Sequence, residues 1–232
     1  MKSKKFYFSV IFIVIFILAS GLSFADEERY KKNIKFRVTI TNLTRGQVFS
    51  PPIVIAHDSK FSLFTLGDPA SPGLALLAEE GMPVDLIGEL NPDKSDFAVA
   101  DDFVPPGKSI TVPLEISKPG RMRFISVAGM LVTTNDALFA ARDIWYLGKR
   151  NLVVKAAAYD AGSERNSEDC NYIPGPPCGN SPAHDPAAPE GYVHVHAGIH
   201  GFNSEGDVSS LNPAVSDWNN PVAKITIQRI YY

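Results

Sequence analysis

Residues 34–42, Ile-Lys-Phe-Arg-Val-Thr-Ile-Thr-Asn, alternate apolar and polar side chains almost without a break. Successive side chains of an extended chain point to opposite faces. The alternation therefore buries Ile34, Phe36, Val38 and Ile40 together and leaves Lys35, Arg37 and Thr39 in water. A helix would scatter the same residues around its circumference. Residues 222–230 alternate in the same way near the other end of the sequence. A chain carrying a half-buried strand at each end must bring both into a sheet.

Turn signals punctuate what lies between. Further strands are expected over 51–57, 109–116, 121–131, 152–159 and 190–201, the last with histidines in it. Short helices are expected over 74–80 and 84–90, split at Gly81-Met82-Pro83 and stopped by Pro92. Helices that do not alternate with strands exclude a doubly wound α/β sheet. The pattern predicts an all-β fold, an antiparallel β-sandwich with a few short helices in its connections. The 17 Gly and 18 Pro suit a turn-rich chain. No internal repeat or linker divides it, so residues 26–232 are expected to form one domain.

Residues 1–25 read as an export signal. Lys2, Lys4 and Lys5 precede the apolar run 6–18, and Ser23-Phe24-Ala25 offers a small-x-small cleavage site before Asp26-Glu27-Glu28. A membrane span needs about 20 apolar residues, and this run is shorter. No second apolar span follows, so no transmembrane anchor is expected after cleavage, and the chain is expected to be exported to the periplasm or beyond. Removing the leader takes three of the 22 basic residues and none of the 25 acidic ones, which shifts the formal charge from −3 to −6. That balance argues against nucleic acid as a partner, since phosphate binding needs a basic surface. An oxidising compartment would pair Cys170 with Cys178 across a Pro-rich stretch, clipping the long polar loop 160–190.

Candidate chemistry sits in the second half. One strand runs into Thr133-Thr134-Asn135-Asp136, and another into Asp160, with Gly162 turning the chain back at Glu164. Loops leaving one end of a sandwich converge, and carboxylate oxygens with backbone carbonyls suit a hard cation, Ca²⁺ before Mg²⁺. Asx turns use the same residues for plain turn geometry. Separately, His194 and His196 share a face of a strand, and a turn at Gly198 returns His200. Three imidazoles suit Zn²⁺ or Cu²⁺ in a metalloenzyme or metal-storage protein, and they equally serve as packed strand residues. No phosphate loop, Gly-x-Ser-x-Gly or partnered nucleophile is present, so a non-enzymatic role is expected.

An ordered set of motifs carries a resemblance. Phe36 to Thr44 with Phe49-Ser50-Pro51-Pro52, Leu77-Ala78-Glu79-Glu80-Gly81, Ser126 to Ala137, Tyr159-Asp160-Ala161-Gly162-Ser163-Glu164, Pro174 to Cys178 and Val193 to Gly201 follow one another. Together they resemble a bacterial-type spondin N-terminal domain over nearly all of residues 26–232. The resemblance implies a sandwich similar to a C2 domain, with calcium at one end. It places that metal on Asp136 and Asp160, with Glu164 and then Asn135 as further ligands. Tyr159 stands where the family has Trp. It also implies extracellular adhesion, with a protein or glycan as partner. The thrombospondin-type repeats of animal members are missing, so their matrix roles do not transfer. The His-rich strand belongs to the bacterial variant. Lipid binding by analogy with C2 domains would need Ca²⁺ to bridge an acidic chain to an anionic surface.

Overall fold

The computed structural model describes residues 33–179, 184–203 and 205–231. The expected leader lies outside them, and among them no helix is long and apolar enough to cross a membrane. The described chain contains nine strands: β1 (Ile34–Asn42), β2 (Ile53–His57), β3 (Ser95–Val99), β4 (Ser109–Ile116), β5 (Phe124–Met130), β6 (Ala137–Trp145), β7 (Asn151–Asp160), β8 (His194–Val195) and β9 (Ala223–Ile230). Helices α1 (Pro72–Glu80) and α2 (Val84–Glu89) and the single turn α3 (Pro213–Ser216) sit in the connections.

Every pairing is antiparallel, in the order β3-β2-β5-β6-β7-β9-β1-β4, with β8 added beside β7. The fold is thus all-β with few short helices, as the sequence implies. Its layers, however, are not two separate sheets. The first half of β7 pairs with β9 and its last residues pair with β6 and β8. The sheet curls through that shared strand into a nearly closed, barrel-like form. Its seam lies between β3 and β4, where Asp96 accepts hydrogen bonds from the backbone N–H of Ser117 (2.6 Å) and its hydroxyl.

The register follows from the alternation. Phe36, Val38 and Ile40 face Leu114, Val112 and Ile110 across β4, and Val38 and Ile40 face Ile227 and Ile225 across β9. All but the partly buried Ile110 lie in the barrel core. Strand β2 is buried on both faces. Val54 and Ala56 enter the barrel, while Ile53 and Ile55 meet Leu74, Leu77, Ala78 and Leu86 of the two helices. Helix α1 starts on Ser71, whose hydroxyl accepts the N–H of Leu74. It stops at Gly81, which adopts φ 70° and donates to the carbonyl of Leu77.

Three expectations change. The strand expected over 121–131 begins only at Phe124, because Arg121 and Met122 both donate to the carbonyl of Lys118 in a turn. The strand expected over 190–201 shrinks to His194–Val195, since Gly198 and Gly201 take φ of 98° and 83° and turn the chain away. Strands β3 and β6 were not expected: β3 is short, and β6 is apolar on both faces from Ala137 to Ala141 and so does not alternate there.

The disulfide Cys170–Cys178 is formed. Its loop caps one end of the barrel, with Ile173 fully buried in the core and Gly175 against the carbonyl of Val132, where a Cβ would approach to 2.2 Å.

Candidate cation site at the barrel end

The loop after β5 and the loop after β7 leave the same end of the barrel, because the start of β6 pairs with the end of β7. This register sets Asp136 beside Asp160, and both are fully buried. Asp136 Oδ2 accepts the N–H of Ser163 (2.8 Å), the hydroxyl of Ser163 (3.2 Å) and the N–H of Glu164 (3.0 Å). Its Oδ1 is buried with no hydrogen-bond partner. Asp160 Oδ1 accepts the N–H of Gly162 (2.7 Å), and Oδ2 accepts from the Asn166 amide. Burial pushes the Asp136 carboxyl well above the usual range, and the neighbouring Asp160 adds to the effect. Burial also raises Asp160, against the opposing hydrogen bond from Asn166. Two buried carboxylates with an orphaned oxygen make a site that wants a proton or a cation.

The other two expected acid-site residues lie elsewhere in their side chains. Glu164 gives its backbone N–H to Asp136, but its carboxylate accepts the N–H of Asp185 (2.7 Å) and faces His184 (3.2 Å). Burial raises it to about 7. The Asn135 amide donates to Ser167 and accepts the N–H of Glu168, so both its polar ends hold the loop over 165–168.

The histidines divide. His194 and His196 do share a face, and both point Nε2 at Asp160 Oδ2, at 3.7 and 3.9 Å. His194 Nδ1 lies 3.2 Å from the carbonyl of Tyr192, to which it donates. His196 has the opposite tautomer: Nδ1 accepts the N–H of Gly198 (2.9 Å), so its Nε2 carries the proton. Burial holds His196 neutral, lowering it to about 4. His200 stands apart with Glu168, 3.3 Å away. That glutamate also accepts the N–H groups of His200 and Gly201 and the hydroxyl of Ser209. A water-sized cavity of about 10 Å³ lies between the two groups, lined by Asn135, Asn166, Glu168 and His196 among others.

Among the described residues, three acid or histidine side chains have ligand atoms all within 4.8 Å of one another: Glu79, Glu164 and His184. Neither the aspartate pair with a histidine nor the three strand histidines form such a group there. Sequence reasoning missed Glu79 and His184, which lie 105 residues apart and share no motif. A Ser–His contact also emerges, between Ser126 Oγ and His57 Nε2 at 2.8 Å, but Ser126 and His57 are fully buried and unreachable by a substrate. No protein-family model and no curated protein matches the chain. The site is therefore read from its own chemistry.

Proposed function

We propose that this chain is an exported, non-enzymatic binding module whose barrel end is organised by Ca²⁺ on Asp136 and Asp160. The observation that carries the reading is the buried, partnerless Oδ1 of Asp136 beside a second buried carboxylate. A hard divalent cation would neutralise both groups and accept oxygen ligands that the protein leaves unused. Bridging them would tie the loop over 131–136 to the loop over 160–164. Those loops would then form a rigid surface for an extracellular protein or glycan, in the manner of the spondin-type domains that the motifs resemble.

A second reading has its own support. His194 Nε2 faces Asp160 Oδ2, so Zn²⁺ or Cu²⁺ could take a mixed nitrogen and oxygen set there. The tautomer of His196 and the separate placement of His200 weigh against the three-histidine form of it. Metal analysis of tag-free protein separates the two. Calcium that is lost from an Asp136→Asn, Asp160→Asn double variant supports the first reading. Stoichiometric zinc or copper that is lost on His194→Ala supports the second and defeats the first.

A further inference from the structure

The second cluster, Glu79, Glu164 and His184, is not needed for the proposed calcium site. Glu79 lies in the last turn of α1, Glu164 just beyond the Gly162 turn after β7, and His184 on the returning arm of the disulfide-clipped excursion. His184 Nδ1 stands 3.1 Å from Glu79 Oε2 and 3.2 Å from Glu164 Oε1. Around a tetrahedral ion with bonds near 2.1 Å, ligand atoms sit about 3.4 Å apart. The imidazole nitrogen already stands within a few tenths of an ångström of that spacing from each carboxylate oxygen, and all three atoms lie within 4.8 Å of one another.

Charge makes the same point. Among the described residues His184 is the ion-pair partner of both glutamates, and no lysine or arginine joins them. Asp185 adds a third carboxylate, buried to 3% exposure. Its Oδ1 accepts the N–H of Ala187, while its Oδ2 is buried without a hydrogen-bond partner. Its charge acts on both Glu164 and His184. Three carboxylates thus gather near one imidazole with no other cationic side chain beside them among the described residues. The imidazole itself is 62% exposed, so an ion has a way in. A nitrogen ligand among oxygens favours a first-row transition ion over Ca²⁺.

We infer that Glu79, Glu164 and His184 form a second metal site for a divalent transition ion of the Zn²⁺ type, with the buried Asp185 carboxylate adding negative charge beside it. This site fastens α1, the turn after β7 and the clipped excursion to one another. It shares residue 164 with the calcium site, one through the side chain and the other through the backbone N–H.

The test is Zn²⁺ titration of metal-stripped, tag-free protein at pH 7.5 by calorimetry, with Co²⁺ absorption as a second readout. One equivalent is expected to bind, with affinity falling about tenfold or more in His184→Ala and in Glu79→Gln. Asp136→Asn and His194→Ala are expected to bind Zn²⁺ as the wild type does. The visible Co²⁺ bands should vanish with His184. The exposed position of His184 makes that variant safe for folding, and Glu79→Gln keeps the shape of the side chain it replaces. No uptake by the wild type overturns the inference. So does uptake that survives both variants, or that is lost with His194 and not with His184. A missing Ca²⁺ response with intact Zn²⁺ binding would defeat the calcium reading alone.

Discussion

Asp136→Asn separates a cation site from an ordinary buried turn. The three hydrogen bonds to Oδ2 come from N–H and O–H donors that an amide oxygen accepts equally well. What the substitution removes is the cost of keeping Asp136 ionised beside Asp160, or of drawing a proton onto it, at neutral pH. Two unit charges a few ångströms apart at an effective dielectric constant of about 20 repel by about 3 kcal/mol, the most this repulsion can cost since a proton relieves it. A buried, unpartnered polar atom costs about 1–3 kcal/mol more when charged or unsatisfied, and the new amide keeps part of that cost. The expected net gain in chelator is about 2 kcal/mol, or roughly 4–8 °C in melting temperature for a domain of this size. Ca²⁺ at about 100 times its Kd adds about 2.7 kcal/mol to the wild type, roughly 5–11 °C, and should add almost nothing to the variant. Differential scanning calorimetry with and without Ca²⁺ measures all four states. A variant that melts lower than the wild type in chelator refutes the reasoning, as does a variant that keeps the full Ca²⁺ increment.

Three further outcomes follow from the structure. In metal-free protein, burial raises Asp136, Asp160 and Glu164, the last to about 7, so the folded state holds protons that the unfolded chain releases from about pH 4. Their contribution is full below that pH and is lost as pH rises through the folded values. His196, lowered to about 4, acts in the opposite sense up to about pH 6.5. Urea unfolding from pH 4.5 to 7.5 should show Glu164→Gln flattening the fall that ends near 7; an unchanged slope would show that Glu164 is not protonated in the fold. Replacing both Cys170 and Cys178 by Ser opens a loop with a sequence separation of 8, which should cost about 2–3 kcal/mol in urea; a loss under 1 kcal/mol (about 0.5, say) would mean the capping loop is held by Ile173 alone. Gly162→Ala places a Cβ 2.2 Å from the carbonyl oxygen of Tyr192 at φ 65°, so it should cost about 2 kcal/mol or more and weaken Ca²⁺ binding; a neutral result in both assays would show that this turn does not set the site.

The strands that alternate were legible because one of their faces meets water. β1, β4 and β9 carry polar residues on that face, and their limits in the structure match the pattern within a residue. β6 escaped notice for the opposite reason. Leu138 and Ala140 lie under the helices while Ala137, Phe139 and Ala141 fill the barrel, so no polar residue marks a face before Arg142. Asp160 was legible because a strand delivers its last side chain to a fixed place, whereas Asp136 is not at the end of β5, which stops at Met130, but at the close of the loop that leads into β6. Glu164 was half legible: its backbone arrives where expected, but the Gly162 turn sends its carboxylate to Glu79 and His184. No spacing in the sequence encodes a contact between residues 105 apart.

Strand β1 lies between β4 and β9, and Phe36 pairs with Arg229. Roughly 190 residues of chain therefore separate one edge of β1 from its neighbour, which at ribosomal speeds of about 5–20 residues per second is a wait of roughly 10–40 s. During that interval β1 can pair with β4 but must leave a row of backbone donors and acceptors open to any other extended segment. The last strand made is the one that closes it. Barrel assembly is thus timed by the arrival of β9, and an interrupted synthesis yields an open sheet edge rather than a smaller folded protein.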